Sequence, residues 1–107
     1  MPKKIYTIEI AKDVFILVYF ATEKGAVGRF VVKLNIIIGD VTFELARYDG
    51  GLHEPHLDII KPDGSKYRTV DYSALENAQA VNVAIQDFSN NWELYLERWK
   101  KWVGKRK

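Results

Sequence analysis

Apolar and polar residues alternate along the first half of the chain with the period of two that is typical of strands. Residues 4–11 place Tyr6, Ile8 and Ile10 on one side of the chain and Ile5, Thr7 and Glu9 on the other. This segment is predicted to form a half-buried strand. Residues 14–20 are apolar at every position, which predicts a central strand covered on both faces.

Two longer segments, residues 29–38 and 41–49, flank a Gly-Asp dipeptide. Glycine adopts the positive φ that two-residue hairpin turns require, so these segments are predicted to pair. The turn sets a register in which Val32 lies opposite Arg47 and the apolar residues of both segments share one face. In that register, Arg47 and Asp49 point to the face on which a helix would pack.

A second hairpin is predicted for residues 56–60 and 66–70, which flank a Pro-Asp-Gly-Ser turn. Proline presets φ in such a turn and glycine closes it. This hairpin brings the total to six candidate strands joined by short loops. The arrangement indicates a meander-like antiparallel sheet within residues 4–71.

A long amphipathic helix is predicted for residues 73–103, and Ser73 and Glu76 match a capping box at its start. A helix of thirty residues would reach roughly 45 Å, about twice the span of short strands. It would therefore either break around residues 89–91 or project past the sheet. Its apolar positions recur three and four residues apart, in one stripe: Ala74, Ala78, Val81, Ile85, Phe88, Trp92, Tyr95, Trp99 and Trp102.

These elements predict one α+β domain, an antiparallel sheet of five to six strands followed by a C-terminal helix packed on one face. The length of 107 residues suits a single domain, and an apolar fraction of 48% supplies one core. The absence of cysteine excludes disulfides and thiolate metal sites and suits a reducing compartment. With no secretory signal and no apolar run longer than residues 14–21, we expect a cytoplasmic protein that does not associate with membranes.

The net charge of +2 conceals an asymmetry, because residues 98–107 contain six basic residues and no acidic one. A basic helix end and a tail over residues 104–107 would attract phosphates, or would only keep the terminus solvated. If these cations bind RNA, the contacts come from Arg98, Lys100, Lys101, Lys105 and Arg106.

The same helix end is aromatic, with Trp92, Tyr95, Trp99 and Trp102 in the stripe. Three interpretations stay open: an interface of a homodimer, a part of the chain's own core, or a surface on which unpaired bases stack. The first of these would make the protein a non-catalytic binding or assembly module.

Titratable side chains concentrate within residues 47–58, which include both histidines. Imidazole beside carboxylates suits acid–base chemistry near neutral pH, and arginine binds phosphate. We therefore consider Arg47, Asp49, His56 and Asp58 as catalytic residues of a metal-independent RNA-cleaving enzyme that needs no cofactor. However, if Leu57 and Ile59 face the core, His56 and Asp58 point away from the face predicted for Arg47 and Asp49.

A metal site is a second interpretation of the same segment. His53, His56 and Asp58, with Asp49 nearby, offer nitrogen and oxygen ligands suitable for Zn²⁺ or Mn²⁺. A third interpretation is an ordinary glycine-rich surface turn without chemistry. The sequence leaves the three open.

The peptides Arg47-Tyr48-Asp49 and Pro55-His56-Leu57-Asp58 resemble a motif of small prokaryotic domains. That motif has the form Arg-Tyr-Asp-Asn-Ala-His-Gly, one residue, Pro-His, one residue, then His or Asp. The group includes uncharacterised domains and the TumE-like toxins of toxin–antitoxin systems. Here two glycines replace Asn-Ala, and Leu52 stands where the motif has histidine. Similarity to the toxin-like members implies RNA cleavage through Arg47, Asp49, His56 and Asp58 and an antitoxin partner, whereas similarity to the uncharacterised members implies no activity.

Overall fold

The computed structural model describes residues 2–104, which form six strands and one helix. The strands are β1 (Lys3–Ala11), β2 (Val14–Glu23), β3 (Ala26–Ile38), β4 (Val41–Gly50), β5 (His56–Ile60) and β6 (Lys66–Asp71), and the helix is α1 (Asn77–Gly104). The six strands form one sheet in chain order, with every neighbouring pair antiparallel. The predicted α+β class, the meander and the C-terminal helix are therefore confirmed.

Only one face of the sheet is covered by α1, and we call the other the open face. Along β2, Val14, Ile16 and Val18 are buried under the helix side, whereas Phe15 and Tyr19 alternate with them and stay half-exposed. The prediction that this strand is covered on both faces was wrong. A single helix supplies only one covering layer, so the apolar side chains on the open face remain accessible.

The helix begins four residues later than predicted, and the capping box at Ser73 does not form. Ser73 instead donates a hydrogen bond from its backbone N–H to Asp71. At the observed start, the Gln79 Oε1 atom accepts a hydrogen bond of 3.0 Å from the backbone N–H of Glu76. A side chain three residues ahead thus satisfies one of the free N–H groups at the helix start.

The helix is continuous through residues 89–91, and its aromatic end stays on the sheet, contrary to both predicted outcomes. Its 28 residues span about 42 Å, and the 13 residues of β3 span about 43 Å. Near the start of β3, the Asn77 side chain donates a hydrogen bond to the Val27 carbonyl. Near the far end of β3, the ring centroid of Trp99 lies 5.1 Å from that of Phe43, which is paired with Ile36. The helix therefore runs along β3, which is longer than the sequence indicated.

From Val81 onward the predicted stripe on α1 packs into the chain's own core, but its first two members, Ala74 and Ala78, are exposed, and Ala80 and Ala84 are buried instead. Ala80 and Ala84 are fully buried and let the helix approach the sheet closely, and Trp99 is only 5% exposed. Trp92, Tyr95 and Trp102 are partly buried and pack against the same core. Among the described residues, α1 lacks the apolar length needed to cross a membrane.

A carboxylate on α1 ties the helix to β4. Tyr48 and Tyr95 both donate hydrogen bonds to the Oδ2 atom of Asp87, and Asn91 donates to its Oδ1 atom at 2.8 Å. Burial raises the pKa of both tyrosines well above the usual value, and the hydrogen bonds to Asp87 raise it further. Tyr48 is thereby fixed on the helix side of β4, which determines where its neighbour Asp49 points.

Candidate His–Asp site on the open face

A β-bulge changes the register of the β3–β4 hairpin. The pairing is regular from the turn as far as Asn35 opposite Glu44, but the next pair is Leu34 opposite Ala46. One additional β4 residue, Leu45, lies between them. Because side chains alternate along a strand, one inserted residue moves every later side chain to the opposite face.

The predicted pairing of Val32 with Arg47 was therefore wrong, and Val32 lies opposite Tyr48. Tyr48 takes the place on the helix side, and Arg47 and Asp49 point to the open face. Arg47 is paired with Glu44, with 2.9 Å between Nε and Oε2.

Pairing of β4 with β5 brings the four predicted catalytic residues together. Arg47 lies opposite Asp58, and Asp49 lies opposite His56. Since Arg47 and Asp49 now occupy the open face, all four side chains share it. The separation onto two faces that the predicted register implied does not occur.

Three of these side chains form a compact group, the Asp49–His56–Asp58 cluster. The Nε2 atom of His56 lies 3.0 Å from Asp49 Oδ1 and 3.4 Å from Asp58 Oδ2. The other ring nitrogen, Nδ1, donates a hydrogen bond of 2.9 Å to the Glu54 carbonyl. A carbonyl oxygen only accepts hydrogen bonds, so Nδ1 carries a proton and Nε2 is the atom available for chemistry.

Asp58 is only 1% exposed, and two neighbouring side chains hold its carboxylate in place. Thr69 donates a hydrogen bond of 2.7 Å to Oδ1, and Lys66 Nζ lies 3.3 Å from Oδ2. Burial acts to raise the pKa of Asp58, but the Thr69 and Lys66 hydrogen bonds and the charge of His56 outweigh it, so its pKa falls below the usual value. Asp58 is therefore an ionised carboxylate with Oδ2 directed at His56.

The two consecutive glycines allow the loop after β4 to lie against β3. A Cβ on Gly50 would clash with the Phe30 ring, and one on Gly51 would collide with the Gly28 carbonyl oxygen and the Arg29 Cα. Gly51 also has a φ of +102°, which side chains rarely adopt. The pair is thus required for the close packing of this loop against Gly28 and Arg29 of β3.

Two of the three separations within the cluster suit a metal site. The three ligand atoms all lie within 4.8 Å of one another. Ligands about 2.1 Å from a cation are separated by about 3.0 Å at right angles and about 3.4 Å in a tetrahedron, and the two measured distances from His56 match these spacings. The anchored Nδ1–H group is the usual outer contact of a histidine that binds metal.

The structure corrects one predicted ligand. His53 does not belong to the group of ligand atoms, and its ring centroid lies 6.3 Å from that of His56. Asp49, which the sequence placed nearby, completes the group of three ligand-type atoms, because β4 and β5 pair it directly with His56. His53 lies on the loop, where it lines a cavity next to the cluster.

The predicted RNA-binding cations are placed only in part. Arg98, Lys100 and Lys101 lie exposed on the second half of α1, whereas Lys105 and Arg106 lie outside the described residues. The predicted interface residues Trp92, Tyr95, Trp99 and Trp102 contact the chain's own core. Dimerisation remains a prediction.

Sequence reasoning missed Thr69, Lys66 and Arg29. Thr69 lies in a predicted strand, but it pairs with Asp58 because of a β-bulge between Ile59 and Ile60, which the turn by itself does not reveal. Arg29 lies on β3 two residues before Val31, the partner of Asp49, so the β3–β4 pairing that the predicted register misplaced brings it near Asp49.

Together, the fold and the cluster define a small α+β domain with a His–Asp site on an uncovered sheet face. The chain belongs to the family described as a domain of unknown function, DUF7718, whose model matches residues 1–105. Comparisons with curated proteins and with solved structures give no significant match.

Proposed function

We propose that the protein is an RNA-directed enzyme that cleaves phosphodiester bonds at the Asp49–His56–Asp58 cluster with a divalent cation. The observation that carries this proposal is the convergence of Nε2 and two carboxylate oxygens at ligand spacing on an accessible face. RNA is the substrate that the motif resemblance implies. The arginines on the same face fit a phosphate substrate.

Each ligand has a defined role in holding the cation. His56 would bind the cation through Nε2 in its neutral form, because its Nδ1–H is anchored on the Glu54 carbonyl. Asp58 presents Oδ2 because Thr69 holds Oδ1. Asp49 is the most exposed ligand, with 23% of its side chain accessible. Three protein ligands leave coordination positions free, and a cation there would activate water and neutralise phosphate charge.

Metal-independent cleavage is a second candidate, which one contact favours. Lys66 Nζ lies 3.3 Å from Asp58 Oδ2, so a positive charge already lies beside the oxygen that would face a cation. In this mechanism Nε2 is protonated and paired with both carboxylates, and His56 donates its proton to the leaving 5′ oxygen. Asp49 accepts the 2′-hydroxyl proton, the 2′ oxygen bonds to phosphorus, and a 2′,3′-cyclic phosphate forms.

The deciding experiment is cleavage of end-labelled single-stranded RNA by protein purified without a histidine tag. The assay compares Mn²⁺ with EDTA, and all-ribose RNA with RNA carrying one 2′-deoxy nucleotide at the main cleavage site. For the cation-dependent enzyme, we expect EDTA to abolish cleavage. The 2′-deoxy substitution should not change the cleavage rate. Cleavage that survives EDTA but is blocked by the 2′-deoxy nucleotide would establish the metal-independent mechanism.

Variants connect the activity to the cluster. His56→Gln, Asp49→Asn and Asp58→Asn should each lose at least about two orders of magnitude in rate. Asp40→Asn, in the exposed β3–β4 turn, is the matched control and should retain the wild-type rate. Folded His56→Gln protein with undiminished cleavage would contradict both mechanisms.

The toxin-like role has a separate test in cells. If the protein is the toxic component of a two-gene module, its induced expression should arrest growth, and His56→Gln should relieve the arrest. Equal growth with either protein at matched expression levels would exclude a toxin that acts through this site, even if cleavage occurs in solution.

A further inference from the structure

A small cavity adjoins the cluster on the open face. It has a volume of about 200 Å³, and Arg29, Arg47, Asp49 and His53 are among the residues that line it. Drug-sized ligands occupy at least about 300 Å³, so this cavity suits a small group. Asp49 belongs to both the cavity and the cluster, which makes the two sites contiguous.

The charges around the cavity favour an anion, with one exception. Arg29 is exposed, and no carboxylate within residues 2–104 forms an ion pair with it. Arg47 directs Nε and Nη2 at Glu44, which leaves its other terminal nitrogen free. The exception is Asp49, whose negative charge would repel an anion at close range.

A divalent cation in the cluster would remove this repulsion. The cluster contains two carboxylates, and their combined charge equals that of one such cation in magnitude. With the cation present, the two carboxylates would be neutralised, and an anion in the cavity would meet Arg29 on one side and the free coordination positions of the cation on the other. Without it, the anion would face an arginine on one side and Asp49 on the other.

We propose that this cavity is a phosphate subsite in which Arg29 binds a phosphate group that the cation in the Asp49–His56–Asp58 cluster also contacts. The proposal rests on the metal centre of the proposed function and assigns Arg29 as a phosphate-binding residue. Because coupling between two binding sites is reciprocal, phosphate must tighten cation binding by the same factor by which the cation tightens phosphate binding.

The test measures Mn²⁺ binding by the decrease in the electron paramagnetic resonance signal of free Mn²⁺, with and without inorganic phosphate. A protein-free titration corrects for Mn²⁺–phosphate complexes. For wild-type protein, we expect phosphate to lower the Kd for Mn²⁺ by at least about fivefold, the lower end of typical coupling factors. Arg29→Ala should bind Mn²⁺ with nearly unchanged affinity when phosphate is absent but should lose the effect of phosphate. Lys12→Ala, in the exposed β1–β2 turn, should behave like wild type.

The outcomes separate the subsite from the metal centre. If wild-type protein binds Mn²⁺ and phosphate has no effect, or if Arg29→Ala keeps the full effect, the subsite is excluded and the metal centre stands. If wild-type protein does not bind Mn²⁺, the metal centre itself fails and the coupled subsite fails with it.

Discussion

At the scale of single residues, the geometry of the site depends on side chains in which one polar atom is held by a hydrogen bond and the other is left to face the site. His56 has one ring nitrogen committed to a backbone carbonyl, and Asp58 has one oxygen committed to Thr69. The remaining atoms, Nε2 and Oδ2, therefore face each other without freedom to rotate away. Such fixed outer contacts are what a metal or acid–base centre requires, because its geometry must exist before the substrate arrives.

Gly51→Ala tests the close approach of the glycine loop. Gly51 and Gly64 both have positive φ, at +102° and +88°, but only Gly51 would place a Cβ against backbone atoms. We expect Gly51→Ala to lower the free energy of unfolding by more than about 1 kcal/mol. The loss should exceed that of Gly64→Ala, which introduces backbone strain alone. Urea denaturation followed by circular dichroism measures both, and equal losses would show that the close approach contributes nothing.

At the scale of elements, β4 and α1 are linked by hydrogen bonds that depend on neutral tyrosines. The pKa of Tyr95 is raised by burial and then by Asp87, and the facing Arg98 only partly opposes this. A raised pKa in the folded state means that this stabilisation is complete below the unfolded tyrosine pKa of about 10 and is lost as the pH rises above it.

Tyr95→Phe should therefore reduce the loss of stability at alkaline pH. Between about pH 8 and pH 11, we expect the unfolding free energy of the variant to fall less than that of wild type, since Tyr48 alone still resists ionisation. Tyr67→Phe, at a half-exposed tyrosine on β6, should reproduce the wild-type decrease. Chemical denaturation at several pH values measures the slopes, and identical slopes for Tyr95→Phe and Tyr67→Phe would contradict the expectation.

Trp99 distinguishes an intramolecular core from an interface. Its ring packs on Phe43 and is almost fully buried within one chain. Trp99→Ala should lower the unfolding free energy by about 3–5 kcal/mol, by the same amount at protein concentrations that differ about a hundredfold. Leu94→Ala, at an exposed residue of the same helix, should have little effect. The predicted homodimer would be supported instead if the unfolding free energy of wild type rises with protein concentration and if Trp99→Ala costs more at the higher concentration.

At the scale of the whole molecule, a cation bound between β4 and β5 would stabilise the entire fold. Unfolding separates the ligands, so binding to the folded state alone adds about 2.7 kcal/mol at a cation concentration of 100 times Kd. We expect Mn²⁺ to raise the Tm of wild type and of Asp40→Asn but not of His56→Gln. Differential scanning calorimetry measures the change, and an equal rise for His56→Gln would mean that Mn²⁺ binds elsewhere.

Much of the architecture could be predicted from local pattern. Alternation along residues 4–11 and the Gly-Asp turn after Ile38 are properties of neighbouring residues, and both are confirmed as β1 and as the β3–β4 hairpin. The helix was predicted from its three-and-four spacing for the same reason. Its start was misplaced because Ser73 and Glu76 match a capping pattern, while the backbone there is held in a turn by Asp71.

The sequence by itself determined the fold class, the short-looped strands of a meander-like sheet and the candidate residues of the site, because local periodicity and turn chemistry carry that information. Only the tertiary structure decided that the site residues meet. Phe43 and Tyr48 both pack on the helix side although five positions separate them, and a strand can satisfy both only by inserting one residue. The resulting bulge turns Arg47 and Asp49 to the open face. Its trace in the local sequence is the adjacent apolar pair Leu45 and Ala46, but its cause is packing against α1, which lies far away in sequence.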